Sequence, residues 1–232
     1  MQKIQIKEKL KSAIALYKKT KDPRAGEVIQ HLTKILSTSK ARNSLLEYAK
    51  HIYPGYKDPA HIKLIAKNLE ALEKNEINRL AVFMPPRHGK SMLCSEFFPA
   101  WYLGNNPNEF VIQSTYAQEL ADDFGRKVRN QIASPDFNSV FPQVGLRSDS
   151  SSAKRFHTMQ GGTYSAVGAG GAITGRGAHL LIIDDPIKGR EDAESETQRR
   201  NLVEWYKSVA YTRLQPGGKI IIIQTRWHQD DL

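Results

Sequence analysis

Four short apolar runs, rich in β-branched residues, constrain the fold of this 232-residue chain more than any other feature. They are Leu80–Phe83 (LAVF), Phe110–Thr115 (FVIQST), Leu180–Asp185 (LLIIDD) and Lys219–Thr225 (KIIIIQT). Stretches rich in helix formers separate the first two and the last two. Short unbroken apolar runs of this kind suit strands covered on both faces, and the helical intervals supply the crossovers of a parallel sheet. Arg155–Val167, with period-2 stretches around Gly161-Gly162, predicts a hairpin. Val167–Gly177 (VGAGGAITGRG) predicts a mobile loop over the sheet edge. The expected fold class is α/β, a mostly parallel sheet flanked by helices.

Before the first strand, residues 1–78 read as helical. Ile4, Ile6, Leu10, Ile14 and Leu16 form an apolar stripe that ends at Lys18–Pro23. A second helix is expected over 26–36, with a break at Ser37-Thr38-Ser39. A third is expected over about 42–52, ending at Tyr53-Pro54-Gly55. Asp58 as N-cap and Pro59 as first helical residue predict a fourth. The domain reading is a basic helical region over 1–52 followed by one α/β domain over 53–232. Residues 1–80 hold 17 Lys+Arg against 8 Asp+Glu, while residues 81–232 hold 17 against 16. Almost all of the net charge of +10 therefore lies in the N-terminal third. That asymmetry suggests an anionic polymer as partner, nucleic acid first, with a solvated lysine-rich surface as the plain alternative. No apolar run is long enough to span a bilayer, and the Lys-rich N-terminus lacks the apolar stretch of a secretory signal. The single Cys94 rules out an internal disulfide and reads as a small buried filler.

Met84–Ser91 (MPPRHGKS) follows the first strand and opens a helix. That is the layout of a phosphate-binding loop, in which Pro86, Arg87, His88, Gly89, Lys90 and Ser91 would wrap a polyphosphate. Lys90 would reach the β- and γ-phosphates, and the Ser91 hydroxyl would hold Mg²⁺. The first glycine of the usual pattern is replaced by Met84. Pro85 and Pro86 carry no N–H, so any nest of amides comes from Arg87 to Ser91. The third strand ends in Asp184-Asp185. With the loop about 90 residues upstream, Asp184 is assigned to magnesium and Asp185 to the general-base role; a plain Asp-Pro turn is the alternative. The fourth strand ends in Gln224-Thr225-Arg226, at the edge where ligand contacts cluster in open parallel sheets. Among arginines that could stabilise charge on a γ-phosphate, Arg87 and Arg176 are the best placed, ahead of Arg126 and Arg129. His228, Asp230 and Asp231 read as a solvated turn, and Trp101, Trp205 and Trp227 as core.

Together MPPRHGKS, FPAWYLGNNP (98–107), STYAQELADDFGRKVR (114–129), GGTYSAVGAGGAITGRGAHLLIIDDP (161–186) and TRLQPGGKIIIIQTRWHQDDL (212–232) resemble the large terminase subunit of tailed bacteriophages. The resemblance covers about residues 53–232. It implies a P-loop NTPase of the additional-strand type that hydrolyses ATP with Mg²⁺. By resemblance, Lys90 and Ser91 belong to the nucleotide loop, Asp184 and Asp185 to the acidic strand, and Gln224, Thr225 and Arg226 to a coupling motif. Arg176 is the best match for an arginine acting across a subunit boundary. The implied work is translocation of double-stranded DNA into a capsid in the host cytoplasm. The implied partners are a portal protein and a small terminase subunit, around a homo-oligomeric ring. The family's upstream adenine-recognising glutamine has no counterpart, since DPAHIKLIAKNL offers His61. Its C-terminal nuclease domain has no counterpart before Leu232, so nuclease activity is not expected of these residues. Two other readings are a helicase-like DNA translocase and a non-catalytic remnant that binds DNA or a partner through residues 1–80.

Overall fold

The computed structural model describes residues 3–171, 173 and 175–232, with Lys3 and Ser151 described in backbone alone. Four helices precede the first strand: α1 (Lys3–Thr20), α2 (Pro23–Asn43), α3 (Leu45–Ile52) and α4 (Ala60–Glu73). After β1 (Arg79–Phe83) a helix starts at Lys90, passes through a π-helical stretch (Met92–Phe97) and continues as α5 (Phe98–Asn105). Then come β2 (Phe110–Thr115), α6 (Gln118–Ile132), α7 (Pro135–Val140), β3 (Leu146–Ser151), β4 (Arg155–Thr158), β5 (Thr163–Gly168) and β6 (Ala178–Asp184). The chain ends with α8 (Arg190–Glu194), α9 (Glu196–Trp205) and β7 (Leu214–Gln224).

Among the described residues seven strands form one sheet in the order β1-β7-β6-β2-β5-β4-β3. The first five are parallel; β4 and β3 extend the sheet antiparallel at one edge. The expected hairpin is the β4–β5 pair, in register through Phe156↔Tyr164. The edge strand β3 had no counterpart in the sequence reading, because LRSDSS is polar and lacks the apolar signal of a covered strand.

Alternate side chains of each central strand enter opposite layers, as the two-residue period of a strand requires. Leu180, Ile182, Ile221 and Ile223 pack with α4, α5 and α6, whereas Leu181, Ile183 and Ile220 pack with Trp205 and Leu202 of α9. Helices thus seal both faces, which is why these runs are apolar without alternation. Leu45, Tyr48 and Ala49 lie in the first of these layers, so the core of the sheet reaches back across the expected boundary at residue 52. Among the described residues no helix is long and apolar enough to cross a membrane.

Several local expectations are corrected. Ser37-Thr38-Ser39 does not break α2. The Ser37 and Thr38 hydroxyls donate back to the Lys34 carbonyl at 2.9 and 3.0 Å, a bond that a helix interior accommodates. Asp58 does not cap α4; it pairs with Lys50 at 2.9 Å, and Pro59 takes the cap position. On α1 only Ile6 and Leu10 of the expected stripe turn inward, while Ile4, Ile14 and Leu16 are exposed. Trp101 and Trp205 are core, but Trp227 is 40% exposed beyond the last strand. The glycine-rich loop does not sit over an edge. Parallel β5 and β6 flank β2, so the chain must return across the sheet face, and Ile173 is buried there beneath Trp205. Ala172 and Thr174 of that loop lie outside the described residues.

Gly125 of α6 faces the sheet so closely that an added Cβ would stand 2.0 Å from the Ala153 carbonyl oxygen. Gly125→Ala should therefore lower stability by about 1–3 kcal/mol, the usual cost of overpacking. A urea midpoint equal to that of the parent chain would mean that the Ala153 segment yields freely.

Candidate functional site

The strand order sets the site. Because β7 lies between β1 and β6, the carboxyl ends of three strands stand side by side, with Phe83 opposite Gln224 and Asp184 opposite Ile223. The turn after β1 needs left-handed backbone at Arg87 (φ 62°) and Gly89 (φ 82°). Glycine suits the second of these, where a Cβ would also press on Ile62 at 3.3 Å. The Leu93 N–H donates to the Gly89 carbonyl at 3.1 Å, so the helix is engaged from Gly89 onward. Amides of its first turn have no intrahelical acceptor and carry the positive end of the helix dipole.

Lys90 and Ser91 then face the acids at the end of β6. The Lys90 ammonium, itself buried, is 2.9 Å from the Asp185 carboxylate and donates to the Thr225 hydroxyl at 3.2 Å. Asp185 is also held by the Thr225 N–H, which donates to Oδ1 at 2.8 Å. Its own N–H donates to the Ile223 carbonyl at 2.7 Å. Its backbone sits at φ 42°, a region that non-glycine residues rarely occupy and that surrounding bonds must impose. The Thr225 hydroxyl donates to the Met84 carbonyl at 3.3 Å, which links the end of β7 to the start of the loop.

Asp184 is only 2% exposed. Ser91 Oγ donates to its Oδ1 at 3.2 Å, and Ser95 Oγ donates to its Oδ2 at 2.6 Å. Burial pushes its pKa up to about 6, and the charge of Asp185 adds to the rise. The hydroxyls of Ser95 and Ser91 and the Lys90 ammonium oppose it. Ser95 escaped the sequence reading. Its signal was the four-residue spacing from Ser91, one helical turn farther along the same face.

The remaining candidates divide. Gln224 turns away from Lys90, since neighbouring strand residues point to opposite faces, and its amide donates to the Leu232 carbonyl at 3.0 Å. Arg226 stacks over Phe83 at 5.2 Å and bonds the carbonyls of His228 and Gln229. Arg87 and Pro86 are exposed on the turn, and the Pro86 carbonyl accepts from His88 Nδ1 at 2.8 Å. His61 Nε2 donates to the His88 carbonyl at 3.2 Å. Beside the turn, Tyr53, Tyr56, His61, Ile62, His88 and Met92 line a groove of about 340 Å³. The buried Cys94 thiol is pushed up by burial, as suits a filler.

Arg176 does not join this group. A residue just before a parallel strand stands at the opposite edge from one just after it, and β6 alone is about 20 Å long. Arg176 lies beside Phe110, Arg155 and Thr163, where burial, then the Arg155 charge, lower its pKa. Arg126 pairs with Asp123 at 2.6 Å on the exposed side of α6. Asp231 accepts the Trp227 and His228 N–H groups at 2.8 and 3.0 Å, so a turn forms, but it is not solvated throughout: the Asp231 side chain is only 2% exposed because it closes the turn from inside. No cluster of three or more His, Cys, Asp and Glu side chains forms among the described residues.

The arrangement can therefore place an ammonium, a first-turn hydroxyl and two carboxylates around one point at the sheet's carboxyl edge. The family model described as terminase large subunit, T4likevirus-type, N-terminal, matches residues 82–232. Comparison with curated proteins finds no match.

The raised acid gives a signed prediction. Asp184 holds its proton up to about pH 6 when folded and only to about pH 3.9 when unfolded. Native protein binds more protons between these values, so stability contributed by this group falls as pH rises from about 4 to about 6. The loss is on the order of 3 kcal/mol. Without added divalent cation, Asp184→Asn should flatten that decline in urea midpoints; an unaltered profile would place the titration elsewhere.

Proposed function

Since the chain belongs to the family of large terminase subunits, T4-like type, N-terminal part, we propose that it is the ATP-hydrolysing motor domain of a phage DNA-packaging machine. The observation that carries this reading is the meeting of Lys90 and Ser91 with Asp184 and Asp185 across β1, β7 and β6. The strand β7 inserted between loop strand and acid strand supports a P-loop NTPase of the additional-strand type. The substrate is ATP and the metal is Mg²⁺.

The residues fit both. Helix first-turn amides at Gly89–Ser91 receive phosphate oxygens. Lys90 exchanges the Asp185 carboxylate for the β- and γ-phosphates, and Arg87, exposed on the turn, adds a second positive charge. Ser91 and Asp184 are hard oxygen donors 3.2 Å apart and would hold magnesium. Bound there, the ion supplies Lewis-acid polarisation of phosphate oxygens. Asp184, whose burial opposes ionisation, would carry its charge more readily with such a cation beside it. Once Lys90 has moved, Asp185 is free to orient the attacking water and accept its proton. The groove beside the turn, with Tyr53, Tyr56 and His61, is where the base would lie.

Thr225 touches Lys90, Asp185 and the loop at once, so exchange of the Lys90 partner reaches the end of β7 directly. Arg226 and Gln224 carry that end into the segment that follows. The work coupled to hydrolysis would be translocation of double-stranded DNA, with a portal protein and a small terminase subunit as partners. A homo-oligomeric ring in the host cytoplasm would be the working form. Arg176, at the far edge of its own sheet, can serve a phosphate only across a subunit boundary.

The test is phosphate release from Mg-ATP by the chain, with and without duplex DNA. Lys90→Ala should lower turnover at least a hundredfold, the usual scale for losing a group that stabilises transition-state charge. Its circular dichroism spectrum should keep the parent's form, while its melting temperature falls because the buried partner of Asp185 is lost. Turnover retained in Lys90→Ala would remove the central assignment.

A further inference from the structure

Residues 3–43 fold as the α1–α2 hairpin and hold eleven Lys and Arg against three acids. The rest of the chain is close to neutral, with the remaining 23 Lys and Arg facing 21 acids. Glu8 is the one acid of α1, and Asp22 is occupied as the N-cap of α2, accepting from the Arg24 N–H at 2.9 Å. Among the described residues no lysine of α1 forms an ion pair.

These lysines are also ordered. Lys7, Lys11 and Lys18 stand at i, i+4 and i+11, within about 40° of one helical line and about 16 Å from end to end. All three are exposed, on a line about 100° round α1 from the more buried Ile6 and Leu10. Lys7 and Lys11, four residues apart, repel each other, so this line costs the free helix stability that a polyanion would return.

We infer that this face of α1 is a contact surface for the phosphate backbone of duplex DNA. The choice of partner rests on the packaging reading above; the place rests on the charge pattern. Each strand of a duplex offers one phosphate per about 3.4 Å of axis, so the line covers about five. Lysine is a flexible point charge, suited to phosphate contact without base reading. Single-stranded nucleic acid would call for stacking aromatics. α1 offers only one aromatic, Tyr17, which is 38% exposed beside Gly26 with Lys21 at 5.7 Å from its ring centre, and one ring makes no stacking platform. The contact is thus independent of sequence, which suits a duplex moved through rather than held at one site.

The experiment measures fluorescence anisotropy of two unrelated labelled 30-bp duplexes with the full chain, across 50–200 mM NaCl. It compares the parent with the triple variant Lys7→Gln, Lys11→Gln, Lys18→Gln. A control triple, Lys67→Gln, Lys74→Gln, Lys207→Gln, makes the same charge change elsewhere. Glutamine keeps helix propensity, and circular dichroism checks the fold. The α1 triple should lower the slope of log K against log salt by about 2.7, about 0.9 per lysine. Affinity at 0.1 M salt should fall on the order of a hundredfold, equally for both duplexes, with a much smaller change in the control. Equal losses from both triples, an α1 triple that binds like the parent, or a parent that does not bind duplex would each overturn the surface. An acidic protein partner would then be the better candidate. Phosphate release without DNA separates the two readings. Hydrolysis with unmoved duplex binding sinks the surface and leaves the motor. Selective loss of duplex binding in a chain that releases no phosphate supports the surface and sinks the motor.

Discussion

Strand β7 pairs with β1 on one side and β6 on the other, and every feature of the candidate site depends on that insertion. Its ladder runs from Ile220 to Gln224 against β1 and from Lys219 to Ile223 against β6. Two elements about 90 residues apart in sequence are thereby held two strands apart. The ladder is buried beneath helices on both faces, so its hydrogen bonds do not compete with water. Thr225 at the end of that ladder bonds Lys90, Asp185 and the Met84 carbonyl, which fixes the loop lysine relative to the acid.

Electrostatics at this edge are poised. A carboxylate with almost no exposure, held by two serine hydroxyls, stands next to a second carboxylate paired with a buried lysine. Burial raises the pKa of Asp184, and the charge of Asp185 adds to the rise because one lysine faces two acids. A cation relieves that imbalance. The left-handed backbone of Asp185 belongs to the same economy of constraint. Bonds from Ile223 and Thr225 hold the residue where its carboxylate meets Lys90.

Charge is distributed on a larger scale as well. The body of the chain is nearly neutral, and the α1–α2 hairpin forms a positive pole. Eight helical residues of α3 join that hairpin to the core, with Leu45 and Tyr48 fully buried. The pole is therefore anchored to the same packed layer that carries the loop helix. A surface built on charge and a site built on burial are physically continuous through that layer.

Much was legible in sequence because it depends on local chemistry. Apolar β-branched runs state their own burial, and an acid pair after such a run must lie at a strand's carboxyl end. Gly89-Lys90-Ser91 after a strand must open a helix, and Gly161-Gly162 between period-2 stretches must turn. Features set by partners distant in sequence were not legible. Ser37 and Thr38 look like breakers until their hydroxyls are seen bonded within α2. Gln224 and Thr225 look equivalent until the pleat sends one to Leu232 and the other to Lys90. Arg176 precedes the acidic strand by few residues, yet strand direction puts it at the far edge. The sequence by itself determined which covered segments are strands, though not the polar edge strand β3, which residues carry charge and which types could meet a phosphate. Only tertiary structure decided which of them meet, because strand order and side-chain direction come from packing between segments that no local pattern connects.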